Sequence, residues 1–281
     1  MKKIILLKLV LTLSVLGAQA QKLEVREVVA KHVASVVSPE QKTKITNLTA
    51  VGETTWTQGT NHQREFTGKS VMVSDGRKIA VAAAFPIQDY PYERVVYDGR
   101  KLTLPFVVPG RRSALGNYLF SNDEVVKDGL FGGVLSTGWL FYDPNDKRGS
   151  VSSSGTKKID GKEAYVLSYN TKGGSGLIVK IYFDVASGRH VRTEYRRTMN
   201  GSIVSGRPEA SAGSARQIIE EMSEDFSDFK TESGVTLPRM YKIRIAQIDG
   251  SNSREWTYTM KIDTFYYNQE LDASTFVAEA N

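Results

Sequence analysis

Short runs of alternating apolar and polar residues, separated by glycine turns, constrain the fold of this chain most strongly. The runs 177–183 and 256–262 have a period of two, which is typical of a β-strand with one buried face. Asp-Gly pairs stand between such runs, and their glycines supply the positive φ that two-residue hairpin turns need. These pairs occur at 75–76, 98–99, 160–161 and 249–250. Because hairpins this short cannot make parallel crossovers, the sequence predicts one large antiparallel sheet.

The polar members of these runs indicate that the sheet is covered on one face only. Thr257, Thr259 and Lys261 alternate with apolar residues, which gives one apolar face and one wet face. A sheet of about eleven or twelve strands is too wide to stay flat, so we expect it to curl into an incomplete (half) β-barrel. The concave apolar face then needs a cover of helices, a ligand or both.

An amphipathic helix is predicted at residues 24–37. Valines recur there at intervals of three and four residues, with charged side chains between them, as on one face of a helix. The helix is expected to end near Pro39, where the period changes to two. It is the first candidate cover for the sheet.

The second candidate cover is an insertion at about 107–148, where the alternation stops. Ser121 and Glu124 suggest a capping box, and Gly129 suggests the end of a short helix. Residues 130–141 are apolar and glycine-punctuated, and they leave two interpretations open: a flexible lid over a cavity, or a buried strand or loop that packs the core. The side chains predicted to form the lid are Leu115, Tyr118, Leu119, Phe131, Leu135 and Trp139.

Residues that carry most enzyme chemistry are scarce. The sequence has no Cys, which excludes thiolate nucleophiles, disulfides and iron–sulfur clusters. Its three histidines, His32, His62 and His190, do not have metal-ligand spacing, and each is expected in a surface or capping role. The sequence also has no nucleophile elbow and no phosphate loop. It therefore predicts a protein without enzymatic activity, cofactor or metal.

One acidic cluster keeps a secreted hydrolase as an alternative. On a strand, Glu220, Glu224 and Asp228 would share the face of the apolar residues, and a pair of acids on one face is what glycoside hydrolysis needs. The favoured interpretation is a bulged or helical start with all five acids of 220–228 in water, because burying an unpaired carboxylate is costly. A non-transporting structural protein of the cell envelope is the other alternative.

The first twenty residues have the organisation of a secretory signal. A basic start precedes an apolar stretch and a small-x-small site, with cleavage expected after Ala20. No cysteine follows for lipid attachment. Without its three lysines the formal net charge falls from +6 to +3, and the remaining basic residues are scattered, so no nucleic-acid partner is expected. The sequence predicts export to a periplasm, with one domain over 21–281.

The order of these elements resembles the LolA/LolB-like superfamily of periplasmic lipoprotein carriers, the outer-membrane lipoprotein-sorting proteins. The resemblance rests on the run 224–230 leading to 234–238, on the strand–turn–strand run 95–102 and on the ending 267–276. It covers residues 22–280. It implies a half-barrel with a helical lid, enclosing a hydrophobic cavity that receives acyl chains.

The resemblance also implies partners and a gating residue. The partners would be lipoprotein acyl chains or another lipid, an inner-membrane donor complex and an outer-membrane acceptor, with the carrier a monomer. Arg77 stands nearest to the family's gating arginine, although its turn lacks the family's proline. The side chains predicted to line the lipid cavity are Ile79, Val81, Phe85, Leu102, Leu104, Phe106, Leu167, Val179, Ile181, Trp256, Tyr258 and Met260.

Overall fold

One antiparallel sheet of twelve strands organises the residues that the computed structural model describes, namely 24–42, 44–59, 64–201, 216–250 and 252–278. The predicted signal segment and His62 lie outside these residues. The strands are β1 (Asn47–Gln58), β2 (Arg64–Asp75), β3 (Lys78–Ala84), β4 (Tyr92–Tyr97), β5 (Leu102–Thr103), β6 (Gly149–Ile159), β7 (Lys162–Thr171), β8 (Ile178–Asp184), β9 (His190–Gly201), β10 (Arg216–Glu232), β11 (Val235–Asp249) and β12 (Asn252–Tyr267).

The strands follow one another across the sheet as two meanders that meet in the middle. Their spatial order is β5-β4-β3-β2-β1-β12-β11-β10-β9-β8-β7-β6, and each neighbouring pair is antiparallel. Pairing of β1 with β12 joins the two meanders. Strands β5 and β6 form opposite edges and do not pair with each other, so the sheet remains open. The predicted fold class, a mainly β half-barrel, is confirmed.

The hairpin turns lie where the glycine pairs predicted them. Gly76, Gly99 and Gly161 have φ of +54°, +93° and +81° in the β2–β3, β4–β5 and β6–β7 turns. One strand is shorter than the alternation predicts, because β5 covers only Leu102–Thr103 and the chain leaves the sheet before Leu104.

The N-terminal helix and the insertion lie on the apolar face of the sheet, whereas the C-terminal 3₁₀ helix Ala273–Phe276 packs on the other face through Phe276. Helix α1 (Val25–Val36) confirms the predicted N-terminal helix, which packs against β11 and β6, and a short α2 (Pro39–Lys42) follows it. Within the insertion lie α3 (Ala114–Ser121) and α4 (Glu124–Lys127). The predicted capping box is wrong, because Ser121 ends α3 while Asp123 precedes α4. The predicted helix stop is confirmed, since Gly129 follows α4 with a φ of +69°.

Residues 130–141 pack as a buried loop on the sheet. The short 3₁₀ turn Gly133–Leu135 lies within them, a second one, Leu140–Tyr142, begins at their end, and they contain no strand. Phe131 and Trp139 are each 1% exposed. Of the two interpretations left open by the sequence, packing against the core describes this conformation.

The insertion approaches the sheet closely because two consecutive residues lack side chains. Gly132 and Gly133 have φ of +77° and +45°. A Cβ atom at Gly132 would lie 2.3 Å from Met72 Cε, and one at Gly133 would lie 2.5 Å from the ring of His190. Only glycine fits both the backbone conformation and the space.

The two edges of the sheet are constructed differently from its centre. Edge strand β5 is two residues long. Edge strand β6 alternates between exposed and half-buried residues, and its register with β7 shifts between Ser153 and Thr156, around Gly155 with a φ of +87°. No helix among the described residues is long and apolar enough to cross a membrane.

Substitution Gly133→Ala is expected to destabilise the fold by about 1–3 kcal/mol, because it adds left-handed strain and crowds His190. Urea unfolding would measure the loss. Gly173→Ala is the matched control, since its Cβ would meet nothing within 4 Å. Equal losses of unfolding free energy in the two variants would contradict the close packing of the insertion against the sheet at Gly133.

Candidate functional site

A pocket of about 340 Å³ opens where α1, the insertion and the ends of β1, β11 and β12 meet. We call it the apolar pocket. Its aliphatic wall residues are Val36, Val37, Ile45, Leu48, Val134, Val235 and Leu237, and Trp139, Tyr142 and Tyr267 complete the wall. Val37 pairs with Val235 through an isolated antiparallel bridge, so the end of α1 is held against the start of β11.

Charged residues form the rim of the apolar pocket. Arg148 donates from Nε to Asp146 Oδ2 at 2.6 Å and from a terminal nitrogen to the carbonyl of Gly138 at 3.1 Å. Burial acts to raise the pKa of Asp146, but hydrogen bonds from Arg148 hold it below its ordinary value. Arg77, on the β2–β3 turn, donates to the carbonyl of Lys127 at 3.0 Å. Arg77 therefore links this turn to the insertion at the mouth of the pocket.

A buried histidine anchors the insertion to α1. Trp139 donates from Nε1 to His32 Nε2 at 3.0 Å, and His32 Nδ1 lies 3.2 Å from the carbonyl of Gly188. Nδ1 therefore carries the proton and Nε2 accepts. His32 is fully buried, and burial lowers its pKa to about 3, so the ring is neutral. The expected surface or capping role is wrong for His32 and also for His190, which is fully buried.

A buried carboxylate anchors the insertion to the sheet. Glu224 on β10 accepts the backbone N–H of Gly132 at 2.7 Å and the hydroxyl of Tyr195 at 2.5 Å. The hydroxyl of Tyr241 is its third donor. Burial raises the pKa of Glu224 to about 7 in spite of these donors. The contact with Gly132 holds the insertion down on the concave face.

The placement of Glu224 corrects the interpretation that all five acids lie in water. Strand β10 runs through the acidic cluster, and Glu224 is 0% exposed. Burying a carboxylate costs free energy, which is why the sequence favoured water for this group. The three hydrogen-bond donors around Glu224 offset that cost. On the other face, Asp225 accepts from Arg192 Nε at 2.5 Å. In this conformation Glu224 is not the solvent-accessible carboxylate that the hydrolase alternative needs.

The residues predicted to line a lipid cavity lie mainly under the insertion, in the core. Val81, Leu102, Phe106 and Trp256 are partly buried. The others are buried: Ile79, Phe85, Leu104, Leu167, Val179, Ile181, Tyr258 and Met260. The added Cβ at Gly132 would lie 3.3 Å from Ile79 Cδ1, which shows how closely the insertion covers this surface.

The predicted lid residues are all buried, at 3% exposure or less, and they belong to the same core cluster as most of the predicted wall residues. Trp139 and Arg77 line the apolar pocket, so the structure brings these two predicted site residues together. Sequence reasoning missed the aliphatic wall at Val36, Val37 and Leu48. The valines belong to the periodic pattern of the predicted helix, but nothing local indicates that their partners lie at 235 and 237.

Comparison with known proteins finds similarity among solved structures. No family model and no curated protein matches the sequence. A LolA superfamily protein from Nitrosomonas europaea is 13% identical, with 91% of this chain and 98% of that chain covered and a TM-score of 0.48. A putative outer membrane lipoprotein-sorting protein domain from Vibrio parahaemolyticus is 13% identical, with 89% and 93% covered and a TM-score of 0.44. A DUF1329 family protein from Desulfovibrio piger is 13% identical, with 90% and 97% covered and a TM-score of 0.46.

Substitution Glu224→Gln is expected to change how stability depends on pH. The folded pKa of about 7 lies above the ordinary value of 4.5, so the native state binds the proton more tightly than the unfolded state. The resulting stabilisation is fully present below about pH 4.5 and is lost as the pH rises through 7. Between pH 5 and 8 the free energy of unfolding should therefore fall more for the wild type than for the variant.

Urea unfolding of both proteins at several pH values would measure this difference. Burial lowers the pKa of His32 and of His190, so these histidines bind protons in this pH range only in the unfolded state; this contribution is common to both proteins and cancels. If the free energy of unfolding changed with pH in the same way in both proteins, the buried environment assigned to Glu224 would be contradicted.

Proposed function

We propose that the protein is a periplasmic carrier, and that it binds the acyl chain of a lipid or lipoprotein in the apolar pocket for transfer towards the outer membrane. The observation that carries the proposal is an aliphatic pocket of about 340 Å³ beside a charged rim. This volume lies at the lower end of the range for small-molecule sites, about 300–1,000 Å³, and suits one chain segment. Each CH₂ group that leaves water for the pocket contributes about 0.8 kcal/mol.

The rim favours an amphiphile with an anionic head group. Arg148 already pairs with Asp146, whereas the described hydrogen bond of Arg77 goes to a neutral carbonyl. The guanidinium of Arg77 therefore keeps donors for a carboxylate or phosphate. In this proposal Arg77 also has the gating role, because a head group that takes its donors competes with its contact to Lys127 in the insertion.

The insertion is the proposed lid. Larger or multiple acyl chains would require it to lift, which would uncover the predicted wall residues beneath it. Lifting would break the contact of Gly132 with Glu224 and that of Trp139 with His32, and it would return Glu224 to water. In this proposal the carrier acts as a monomer of one domain, residues 21–281, between an inner-membrane donor and an outer-membrane acceptor.

Filling the apolar pocket by Ile45→Trp is expected to weaken binding of a fluorescent fatty acid. If the indole displaces about two CH₂ groups, the loss of about 1.6 kcal/mol corresponds to more than about ten-fold in Kd. Fluorescence titration of the mature protein would measure it. Ile178→Trp is the matched control, because Ile178 is 56% exposed on β8 and lies outside the pocket.

Two results would contradict the proposal. One is an unchanged Kd in the Ile45→Trp variant. The other is a wild-type protein that neither binds the fatty acid nor carries lipid in its organic extract.

Substitution Arg77→Gln is expected to weaken fatty-acid binding by about two- to five-fold, as for an exposed ion pair, and to leave a fatty alcohol of the same length unaffected. Competition titrations with the two ligands would measure the difference. Arg100→Gln, in the exposed β4–β5 turn, is the control. Equal effects on acid and alcohol would contradict a head-group role for Arg77.

A further inference from the structure

A second pocket, of about 450 Å³, lies at the other end of the same strands. Its walls include Trp56 of β1 and Trp256 of β12, whereas the apolar pocket reaches β1 at Leu48. Trp56 comes eight positions after Leu48, so at a rise of about 3.3 Å per residue these two wall residues are about 26 Å apart along β1. The second pocket is more polar, and its polar wall residues include Gln58, Asn117, Tyr118, Glu220, Gln247 and Arg254.

Three polar atoms in the wall of this pocket are shut off from water and have no hydrogen bond among the described residues: Trp56 Nε1, the hydroxyl of Tyr118 and Oε2 of Glu220. The last two are oxygens. Tyr118 is 3% exposed. Burial, followed by the charge of Glu220, raises the pKa of the Tyr118 hydroxyl, so the two groups lie near each other. Most buried polar groups in folded proteins are hydrogen-bonded, so this pair offers two bonding positions to a molecule that enters the pocket.

Three of the four arginines around the pocket, Arg64, Arg111 and Arg112, already contact protein groups. Arg64 pairs with Asp89 at 2.9 Å, and Arg111 donates to the carbonyl of Asp89 at 2.8 Å. Arg112 donates from Nε to the carbonyl of Leu104 at 3.1 Å, and its guanidinium lies 4.7 Å from the ring centroid of Phe106. These contacts fix the three arginine side chains in place beside the pocket. The unpaired carboxylate oxygen needs a ligand that donates a hydrogen bond, which disfavours an anion.

Aromatic rings supply the apolar part of the wall. Trp256 is half-buried at the pocket, and Trp56 stacks on Tyr90 with ring centroids 5.1 Å apart. A ligand that suits this wall has one apolar face for an indole ring and several hydroxyl or amine groups for Glu220 and Tyr118. A pyranose ring has this combination. We propose that the second pocket binds a saccharide unit, with Tyr118 and Glu220 bonding its hydroxyl or amine groups.

A glycan array of mono- and oligosaccharides, followed by calorimetric titration with glucosamine and with the tightest array ligand, would test this proposal. We expect saccharide binding that weakens by about ten-fold in Tyr118→Phe and in Glu220→Gln, as one lost hydrogen bond to each group implies. Because the Tyr118 hydroxyl has no internal hydrogen bond, Tyr118→Phe should keep or raise Tm. Tyr182→Phe is the control: it should lower Tm, since its hydroxyl bonds Glu194 at 2.5 Å, and leave saccharide binding unchanged.

Three results would overturn the assignment: no saccharide bound on the array, saccharide binding that neither Tyr118→Phe nor Glu220→Gln weakens, or a Tm loss in Tyr118→Phe as large as that in Tyr182→Phe. None of these measurements involves the apolar pocket, so the assignment can fail or hold independently of acyl-chain binding.

Discussion

The buried carboxyl group of Glu224 joins the sheet to the insertion that covers it. A carboxylate in the apolar face of a sheet is strongly unfavourable unless donors surround it. Tyr195 and Tyr241 supply two of them from the neighbouring strands, and the backbone of Gly132 supplies the third from the insertion. The insertion therefore covers the sheet and also supplies one of the hydrogen bonds that replace water around Glu224. Without it, Glu224 would need water in a place where the rest of the surface is apolar.

The fold was largely predictable because its signals are local. Alternation around Trp256 involves only neighbouring residues, and it predicted strand β12. The Asp-Gly pair at 160–161 is equally local, and it predicted the turn in which Gly161 has a positive φ. The burial of His32 was not predictable, because its partner Trp139 is 107 residues away. The same holds for Glu224, whose burial is costly until the distant tyrosines are known.

The candidate site was predictable only in part, for a different reason. Residues that line a lipid cavity and residues that pack a core are of the same types. The sequence therefore cannot distinguish the two roles for Ile79 or Ile181. The structure buries both in one core cluster together with residues of the insertion. The apolar pocket forms where chain segments about 200 residues apart meet, as in the bridge between Val37 and Val235. Such a meeting leaves no periodic pattern in the sequence.

An open sheet leaves two strands with unpaired backbone groups, and such edges can recruit further strands. In this molecule neither edge offers a straight template. Strand β5 provides two residues, and β6 is bent by its irregularity at Gly155 and carries Lys157 and Lys158 beside it. A second copy approaching edge to edge would have to straighten the bend and crowd two ammonium groups. The half-barrel can therefore keep two unpaired edges without growing into aggregates or fibrils.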